Sequence, residues 1–328
     1  MRSGAKGRPV FVAGAPRSGI GILTWSLAQH PSFEVVPESG WIGRLSMQLA
    51  GTYAAGRDEG RWIGHPGSVT SPDAFLGAFG PAVEATLGLP PRRPTAGGNR
   101  DDEEGSAGRR SRWISGSADH SLHIYGLSRL FPEARFIHVV REPSAVVRSL
   151  VQVATPDGAY YTERSAVETW LRCVKACLEA ERALGAGRIL RVHHEELTRE
   201  PKRLLLRCLA FLEEPFDPVC LRPLRGLESP GHEEPENRAK DGRLREDSHR
   251  AEALRLWARL VSHPQRRAPD PAALARLQET SLAMGGNPDP RLRPAFSADR
   301  IREFARAVLP EGARVLVVSR GDPDLVQI

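Results

Sequence analysis

Short apolar runs alternate along the chain with stretches in which apolar residues recur every three or four positions. Three runs are typical of buried strands, the last with a polar end: 9–15 (PVFVAGA), 134–140 (ARFIHVV) and 188–197 (RILRVHHEEL). Stretches with helical spacing follow these runs or lie between them, at 21–30, 143–153, 165–185 and 202–212. Alternating strands and helices predict an α/β fold with three layers, in which helices cover both faces of a mostly parallel sheet.

The remaining stretches set the expected domain limits. Further helices are predicted at 41–55, 120–131, 251–262 and 271–284. Residues 91–112 are rich in proline, glycine and charge, which predicts a flexible insertion. We therefore expect one domain over residues 8–285, followed by a short helix and strand within 295–328.

Composition and charge narrow the class of protein. The 328 residues include 46 Lys and Arg against 40 Asp and Glu, an excess that suits anionic small molecules or glycans. This excess is too small and too scattered for a nucleic-acid-binding protein, which needs a basic stripe. No apolar run is long enough to span a membrane and no signal peptide is visible, so we expect a cytoplasmic protein.

The four cysteines indicate the same compartment. None of them forms a CxxC pair, which favours free buried thiols in a reducing environment over disulfides or a zinc site. They are Cys173, Cys177, Cys208 and Cys220.

A glycine-rich turn follows the first predicted strand. In VFVAGAPRSGIG (10–21), backbone N–H groups at the start of the next helix can bind an anion, and Arg17 adds a fixed positive charge. An ATP or GTP loop would continue with a lysine and a serine or threonine, where this chain has Ile20 and Gly21. The pattern thus disfavours a kinase or NTPase. A phosphate loop of another type and a plain strand–turn–helix corner both stay open.

A second candidate site follows the strand at 134–140. Arg141 comes directly after that strand, and Ser149 lies eight residues further on, within the next predicted helix. Ligands of open α/β sheets bind beyond the carboxyl ends of the strands. Two strand ends that each carry an arginine therefore predict a ligand with two separate phosphates.

Three stretches, VAGAPRSGIGIL, ARFIHVVREPSAVVRSL and ILRVHHEELTREPKRLLLRCLAFL, together resemble the sulfotransferases that depend on PAPS (3′-phosphoadenosine 5′-phosphosulfate). The order and spacing match over roughly residues 9–260. The resemblance implies a P-loop NTPase-like sulfotransferase fold. It also implies transfer of a sulfuryl group from PAPS to an acceptor hydroxyl, with no metal ion.

The resemblance assigns roles to individual residues. In the family, the first loop holds the 5′-phosphosulfate, which here implies Arg17, Ser18, Gly19, Ile20 and Gly21. By the same resemblance, Arg141 and Ser149 would hold the 3′-phosphate. Glu38 stands where glycan- and tyrosine-directed members have an acidic general base, and Arg17 would stabilise charge during transfer. Asp119 and His120 are the alternative bases.

Three positions depart from the family pattern. Ile20 replaces a usual threonine, Gly116 replaces a lysine of some members, and His194 replaces a tyrosine. The first change removes a hydroxyl contact to phosphate, which Thr24 could partly restore, and the second removes a cation near the sulfuryl group. These departures motivate the alternative of a catalytically impaired accessory protein that binds PAP or PAPS.

Two polar clusters have simpler interpretations than a ligand site. Adjacent strand residues point to opposite faces, so HHEE at 193–196 favours a solvated strand end over a metal site. DHSLH at 119–123 favours a helix start with an acidic cap.

The C-terminal stretch bears on the acceptor. Residues 298–328 resemble the opening helix and strand of an α/β module found beside glycosyl- and sulfotransferases in bacterial polysaccharide biosynthesis. They would be the start of a truncated module, or a helix and strand packed on the main sheet. The acceptor is therefore expected to be a glycan or another hydroxylated small molecule. The sequence does not predict an oligomeric state.

Overall fold

A parallel five-stranded sheet lies at the centre of the computed structural model, which describes residues 8–37, 40–58, 71–89, 112–155, 158–159, 161–225, 248–265 and 268–283. Its strands are β1 (Val10–Gly14), β2 (Phe33–Val35), β3 (Arg112–Gly116), β4 (Arg135–Val140) and, after a short antiparallel pair β5 (Ala154–Thr155) and β6 (Gly158–Ala159), β7 (Ile189–His193). The spatial order is β2-β3-β1-β4-β7, and all four neighbouring pairs are parallel.

The helices lie before, between and after these strands. They are α1 (Ile20–Leu27), α2 (Trp41–Asp58), α3 (Pro72–Gly77), α4 (Gly80–Thr86), α5 (His120–Leu130), α6 (Pro143–Val151), α7 (Glu163–Leu184), α8 (His194–Arg199), α9 (Pro201–Leu212), a 3₁₀ helix (Pro218–Leu224), α10 (Ser248–Ser262) and α11 (Pro271–Ala283).

Residues of β1 alternate between two hydrophobic cores, one on each face of the sheet. Val10 and Val12 pack with apolar residues of α1, α6 and α9, whereas Phe11 and Ala13 pack with those of α2, α5 and α11. The long helix α7 contributes to both cores. This arrangement confirms the predicted α/β class, the parallel sheet and the helices on both faces.

Two strands of the five-stranded sheet were not expected from the sequence. The short strand β2 has only three residues, and β3 begins at Arg112, which had been assigned to the insertion. The Arg112 guanidinium is buried, donating hydrogen bonds to the carbonyl oxygens of Leu212 (2.6 Å) and Arg8 (3.0 Å) and pairing with Glu214 (3.0 Å). Partners that are distant in the sequence therefore allow the charged residue Arg112 to be buried within the sheet.

The predicted strand at 188–197 is too long at its carboxyl end. The strand ends at His193 and α8 begins at His194, because the Glu196 carboxylate turns back and accepts a hydrogen bond from the His193 amide (3.0 Å). The HHEE cluster thus lies at a partly exposed end of the strand, where the chain turns directly into a helix.

Other expectations fall partly outside the described residues. The predicted insertion up to residue 111 and the C-terminal segment at 295–328 lie there, so the domain limits stay a prediction. Within the described ranges, no helix is long and apolar enough to cross a membrane. All four cysteines are buried and have free thiols.

Candidate functional site

The glycine-rich loop leaves the sheet at the carboxyl end of β1, next to β4. A Cβ atom on Gly14 would lie 2.3 Å from the Val139 carbonyl oxygen, so only glycine allows this close approach. The Ser121 hydroxyl, on α5, also fixes Gly14. It accepts a hydrogen bond from the Gly14 amide and donates one to the Gly14 carbonyl oxygen, both at 2.9 Å. The start of the loop is therefore fixed by two neighbouring elements.

The loop itself contains strained backbone and a buried hydroxyl for which the described structure shows no hydrogen-bond partner. Arg17 (φ 66°) and Gly19 (φ 95°) have left-handed conformations, which for arginine costs about 1–3 kcal/mol. Ser18 is fully buried, yet its Oγ atom has no hydrogen-bond partner in the described structure. Buried polar atoms are normally paired. An anion at the nearby start of α1 would explain both the strain and the unpaired hydroxyl.

The residues predicted for the two phosphate sites meet at one surface. The Arg17 Nε atom donates to the Ser149 Oγ atom at 3.0 Å, and the Arg141 Nη1 atom donates to the Arg17 carbonyl oxygen at 3.1 Å. The Trp170 indole of α7 donates to the Arg141 carbonyl oxygen at 3.1 Å and fixes that strand end. Two guanidinium groups and a hydroxyl thus adjoin the loop.

The amides at the start of α6 are already paired by carboxylates. The Glu142 side chain accepts hydrogen bonds from the amides of Ser144 (2.9 Å) and Ala145 (2.6 Å), and Glu195 accepts one from the Glu142 amide (3.3 Å). An anion near Ser149 would therefore be held by side chains rather than by the helix terminus.

His194 is a loop neighbour that was not expected from the sequence. A Cβ atom on Gly19 would lie 2.4 Å from the His194 Nδ1 atom, so the imidazole ring packs directly on the loop. The sequence marked this position only as a departure from the family tyrosine. Contact between residues so far apart in the chain has no local sequence signal.

Ile20, Thr24 and Gly116 pack against one another beneath the loop. Ile20 is 7% exposed and belongs to the hydrophobic core. A Cβ atom on Gly116 would lie 2.1 Å from the Thr24 Oγ1 atom and 3.1 Å from the Ile20 Cγ2 atom. The Thr24 hydroxyl donates its only hydrogen to the Ile20 carbonyl oxygen (2.8 Å). The expectation that Thr24 restores a phosphate contact is therefore wrong.

Of the two alternative bases, His120 is unsuited to proton transfer with an acceptor. Its ring is fully buried, lies 3.2 Å from the Ser115 Oγ atom through Nε2, and packs edge-on against Phe11. Burial lowers the pKa of His120 to about 3, with a smaller contribution in the same direction from the charge of His123. It is a core residue.

Asp119 is the N-cap residue at the predicted start of α5, but its side chain makes no capping hydrogen bond. Its carboxyl group is buried, and this burial raises its pKa against the opposing effect of His123, Arg44 and Arg172. Glu38 itself lies outside the described residues, although Gly40 follows it closely. A Cβ atom on Gly40 would lie 2.7 Å from the Asp119 Oδ2 atom.

Across the described ranges, no three His, Cys, Asp or Glu side chains cluster in a way that could hold a metal ion.

Comparison with protein families gives a match over most of the chain. Residues 9–218 match the model described as the sulfotransferase family. Among curated proteins, the protein-tyrosine sulfotransferase of Drosophila melanogaster is 23% identical over 215 residues, which cover 65% of this chain and 39% of that protein. Protein-tyrosine sulfotransferase 1 of Danio rerio is 25% identical over 223 residues, covering 65% of this chain and 55% of that protein. The chain thus spans about half the length of these relatives or less.

Among solved structures, the sulfotransferase domain of the Synechococcus PCC 7002 olefin synthase is 22% identical, with a TM-score of 0.43. The alignment covers 85% of this chain and 96% of that domain.

Proposed function

The chain belongs to the sulfotransferase family, and on that premise we propose that it transfers a sulfuryl group from PAPS to a hydroxyl group of an acceptor. The observation that carries the proposal is the strained loop with the buried, unpaired Ser18 hydroxyl, next to the contacts among Arg17, Arg141 and Ser149. A cytoplasmic location, expected from the sequence, is part of the proposal.

The residues around the loop fit a ligand with two phosphate groups. Arg17, Ser18 and the amides of Gly19, Ile20 and Gly21 would hold the 5′-phosphosulfate, while Arg141 and Ser149 would hold the 3′-phosphate. When bound, PAPS supplies the sulfuryl group as part of a mixed anhydride. Binding of the nucleotide end would orient the reacting end.

The chain's own side chains would supply proton transfer and charge stabilisation. The Glu38 carboxylate would accept the proton of the acceptor hydroxyl, as general bases do near the reacting atom. Arg17 and the loop amides would stabilise the negative charge that develops during transfer.

We propose a glycan or a similar hydroxylated metabolite as the acceptor. The formal net charge of +6 suits an anionic glycan, and the C-terminal resemblance points to polysaccharide biosynthesis. A tyrosyl hydroxyl is a second candidate, because the matched curated relatives are named protein-tyrosine sulfotransferases. A PAP-binding accessory protein without turnover is the alternative that Ile20 and Gly116 favour.

Two measurements test this proposal in sequence. Melting temperatures should rise with PAP and stay unchanged with ATP or GTP and magnesium; the reverse result would indicate an NTPase and contradict the proposal. Incubation with PAPS carrying ³⁵S and a cell extract should then label a product. Loss of the label from macromolecules on glycosidase treatment supports a glycan, whereas loss on protease treatment supports tyrosine. PAP binding without any transfer would support the accessory protein.

Glu38→Gln tests the assignment of the base. Transfer should fall by about 10²–10⁴-fold, the usual contribution of a general base. PAP affinity should stay unchanged, because the carboxylate serves the acceptor. Glu34→Gln, at a neighbouring exposed carboxylate, is the matched control. Full activity of Glu38→Gln would move the role to Asp119.

A further inference from the structure

The strand β7 forms one edge of the described sheet, and an edge strand is a template on which a strand of another chain can add. On its inner side the strand pairs with β4, where the Phe136 amide donates a hydrogen bond to the Arg188 carbonyl oxygen at 2.9 Å. Even-numbered residues of β7 therefore bond to β4. The backbone groups of the odd-numbered residues face outward, and these residues are Ile189, Arg191 and His193.

Side chains of the same chain already bond to these outward groups. The His193 amide donates to the Glu196 carboxylate at 3.0 Å. The Arg191 amide donates to the Gln265 Oε1 atom at 2.9 Å, and the Gln265 Nε2 atom donates to the Ile189 carbonyl oxygen, also at 2.9 Å. A residue of an added parallel strand would bond to the same two backbone groups. The Gln265 side-chain amide thus takes the place of one residue of a sixth strand.

An open cavity of about 460 Å³ adjoins this edge, with Gln265 in its wall. Its lining includes the apolar side chains of Leu190 and Val261, and Val261 is 60% exposed. The ion pair between Glu196 and Arg207, at 2.8 Å, lines the same cavity. Charged side chains beside an edge strand oppose the addition of further strands. The edge therefore combines an accessible apolar surface with polar groups that keep other strands away.

We propose that Gln265 shields the edge of β7 and prevents a second copy of the chain from pairing there through its own β7. A second copy fits this edge because two identical strands of five residues can pair in antiparallel fashion about a two-fold axis. Such pairing would join two five-stranded sheets into one continuous sheet. The inference concerns the assembly of the protein and does not rest on the proposed function.

Removal of the amide tests this role through the mass of the protein in solution. Gln265→Ala deletes both hydrogen bonds to the edge. In analytical ultracentrifugation, its average mass should rise to about twice that of the parent protein as the concentration increases, as expected for a two-fold dimer. Gln29→Ala is the matched control, because the Gln29 side-chain amide donates to the nearby Trp25 carbonyl oxygen at 3.1 Å and not to a strand. This control should keep the mass of the parent.

Hydrogen exchange of the Arg191 amide distinguishes pairing at this edge from association elsewhere. In Gln265→Ala this amide should exchange faster than in the parent at low concentration and become protected again as the mass doubles. An unchanged mass, or a rise in mass without renewed protection of Arg191, refutes the inference. Should Gln265→Ala fail to fold, Gln265→Ser, whose side chain is too short to reach both backbone groups, must show the same rise in mass. Loss of the fold in both variants would refute the shielding role as well.

Discussion

Ile20 lies in the core beneath the loop, with its Cγ2 atom directed at Gly116. The sequence allowed the expectation that threonine at this position would improve nucleotide binding. The packing indicates a loss of stability instead, because Ile20→Thr replaces a buried ethyl group with a hydroxyl. We expect the free energy of unfolding to fall by about 1–3 kcal/mol, measured by urea denaturation. Tighter PAPS binding at unchanged stability would contradict this role.

Gly116 packs against Ile20 and Thr24, so a larger residue at position 116 should also destabilise the fold. Gly116→Ala should lower the free energy of unfolding by about 1–3 kcal/mol, the usual cost of overpacking, since the new methyl group meets Thr24. Gly187→Ala is the matched control, because a Cβ atom there has no neighbour within 4 Å. Equal stability of the two variants would show that Thr24 moves aside freely.

Arg141 is the residue whose loss should affect nucleotide binding most directly. Arg141→Ala should weaken PAP by about 10- to 150-fold, which corresponds to the 1.5–3 kcal/mol of a charge-assisted hydrogen bond. The exposed Arg203, on α9, gives a control variant that should bind PAP normally. Calorimetry measures both affinities, and parental PAP affinity in Arg141→Ala would show that the 3′-phosphate site is misplaced.

At the scale of elements, helices α2 and α5 approach closely because small residues line their contact. A Cβ atom would lie 2.8 Å from the His123 ring if placed on Gly43, and 2.4 Å from the Ser46 Oγ atom if placed on Gly126. This contact fixes the start of α2, the helix that follows Glu38. With Glu38 as the proposed base, the two helices would position the acceptor side of the site.

Two glycine substitutions in these helices should change the free energy of unfolding in opposite directions. Gly126→Ala should lower the free energy of unfolding by about 1–3 kcal/mol through overpacking. Gly51→Ala, on α2 with no neighbour within 4 Å of the new Cβ, should raise it by up to about 1 kcal/mol, because alanine favours helix. Chemical denaturation of both variants measures the difference, and stabilisation by Gly126→Ala would refute the close packing.

At the scale of the whole molecule, a buried ion network joins two strands to the long helix. The His138 Nδ1 atom on β4 lies 2.6 Å from the Glu181 Oε1 atom on α7, and the Arg191 Nη2 atom on β7 donates to the Glu181 Oε2 atom at 2.9 Å. Burial acts to lower the pKa of His138, but contacts with Cys177 and Glu181 outweigh it and raise this pKa to about 9. In the folded protein His138 therefore stays protonated up to about pH 9. In the unfolded chain it loses this proton near its ordinary pKa of 6.5.

This network predicts how stability depends on pH. Because the folded-state pKa is raised, the stabilisation is complete below about pH 6.5 and is lost as the pH rises through about 9. The urea midpoint should fall across that window. Glu181→Gln should lower the free energy of unfolding by about 3–5 kcal/mol, the usual effect of breaking a buried pair, and should weaken the dependence of the urea midpoint on pH. The control Glu168→Gln, on the more exposed part of α7, should keep the pH dependence of the parent protein. A midpoint that rises over this range would contradict the assignment.

The sequence alone determined the α/β class, because apolar periodicity reports directly on strands and helices. It also located the glycine loop, the Arg141–Ser149 pair and the family, since these patterns lie within short stretches. The strands β2 and β3 were missed because one is very short and the other starts with a charged residue that distant partners bury.

Only the tertiary structure decided how residues far apart in the chain share space. It placed His194 on the loop, filled the space beside Gly116 with Ile20 and Thr24, and buried His120 in the core. It also placed Asp119, just before α5, beside Gly40, just before α2. Sequence patterns report local spacing, whereas these relations depend on the distance between atoms that folding brings together.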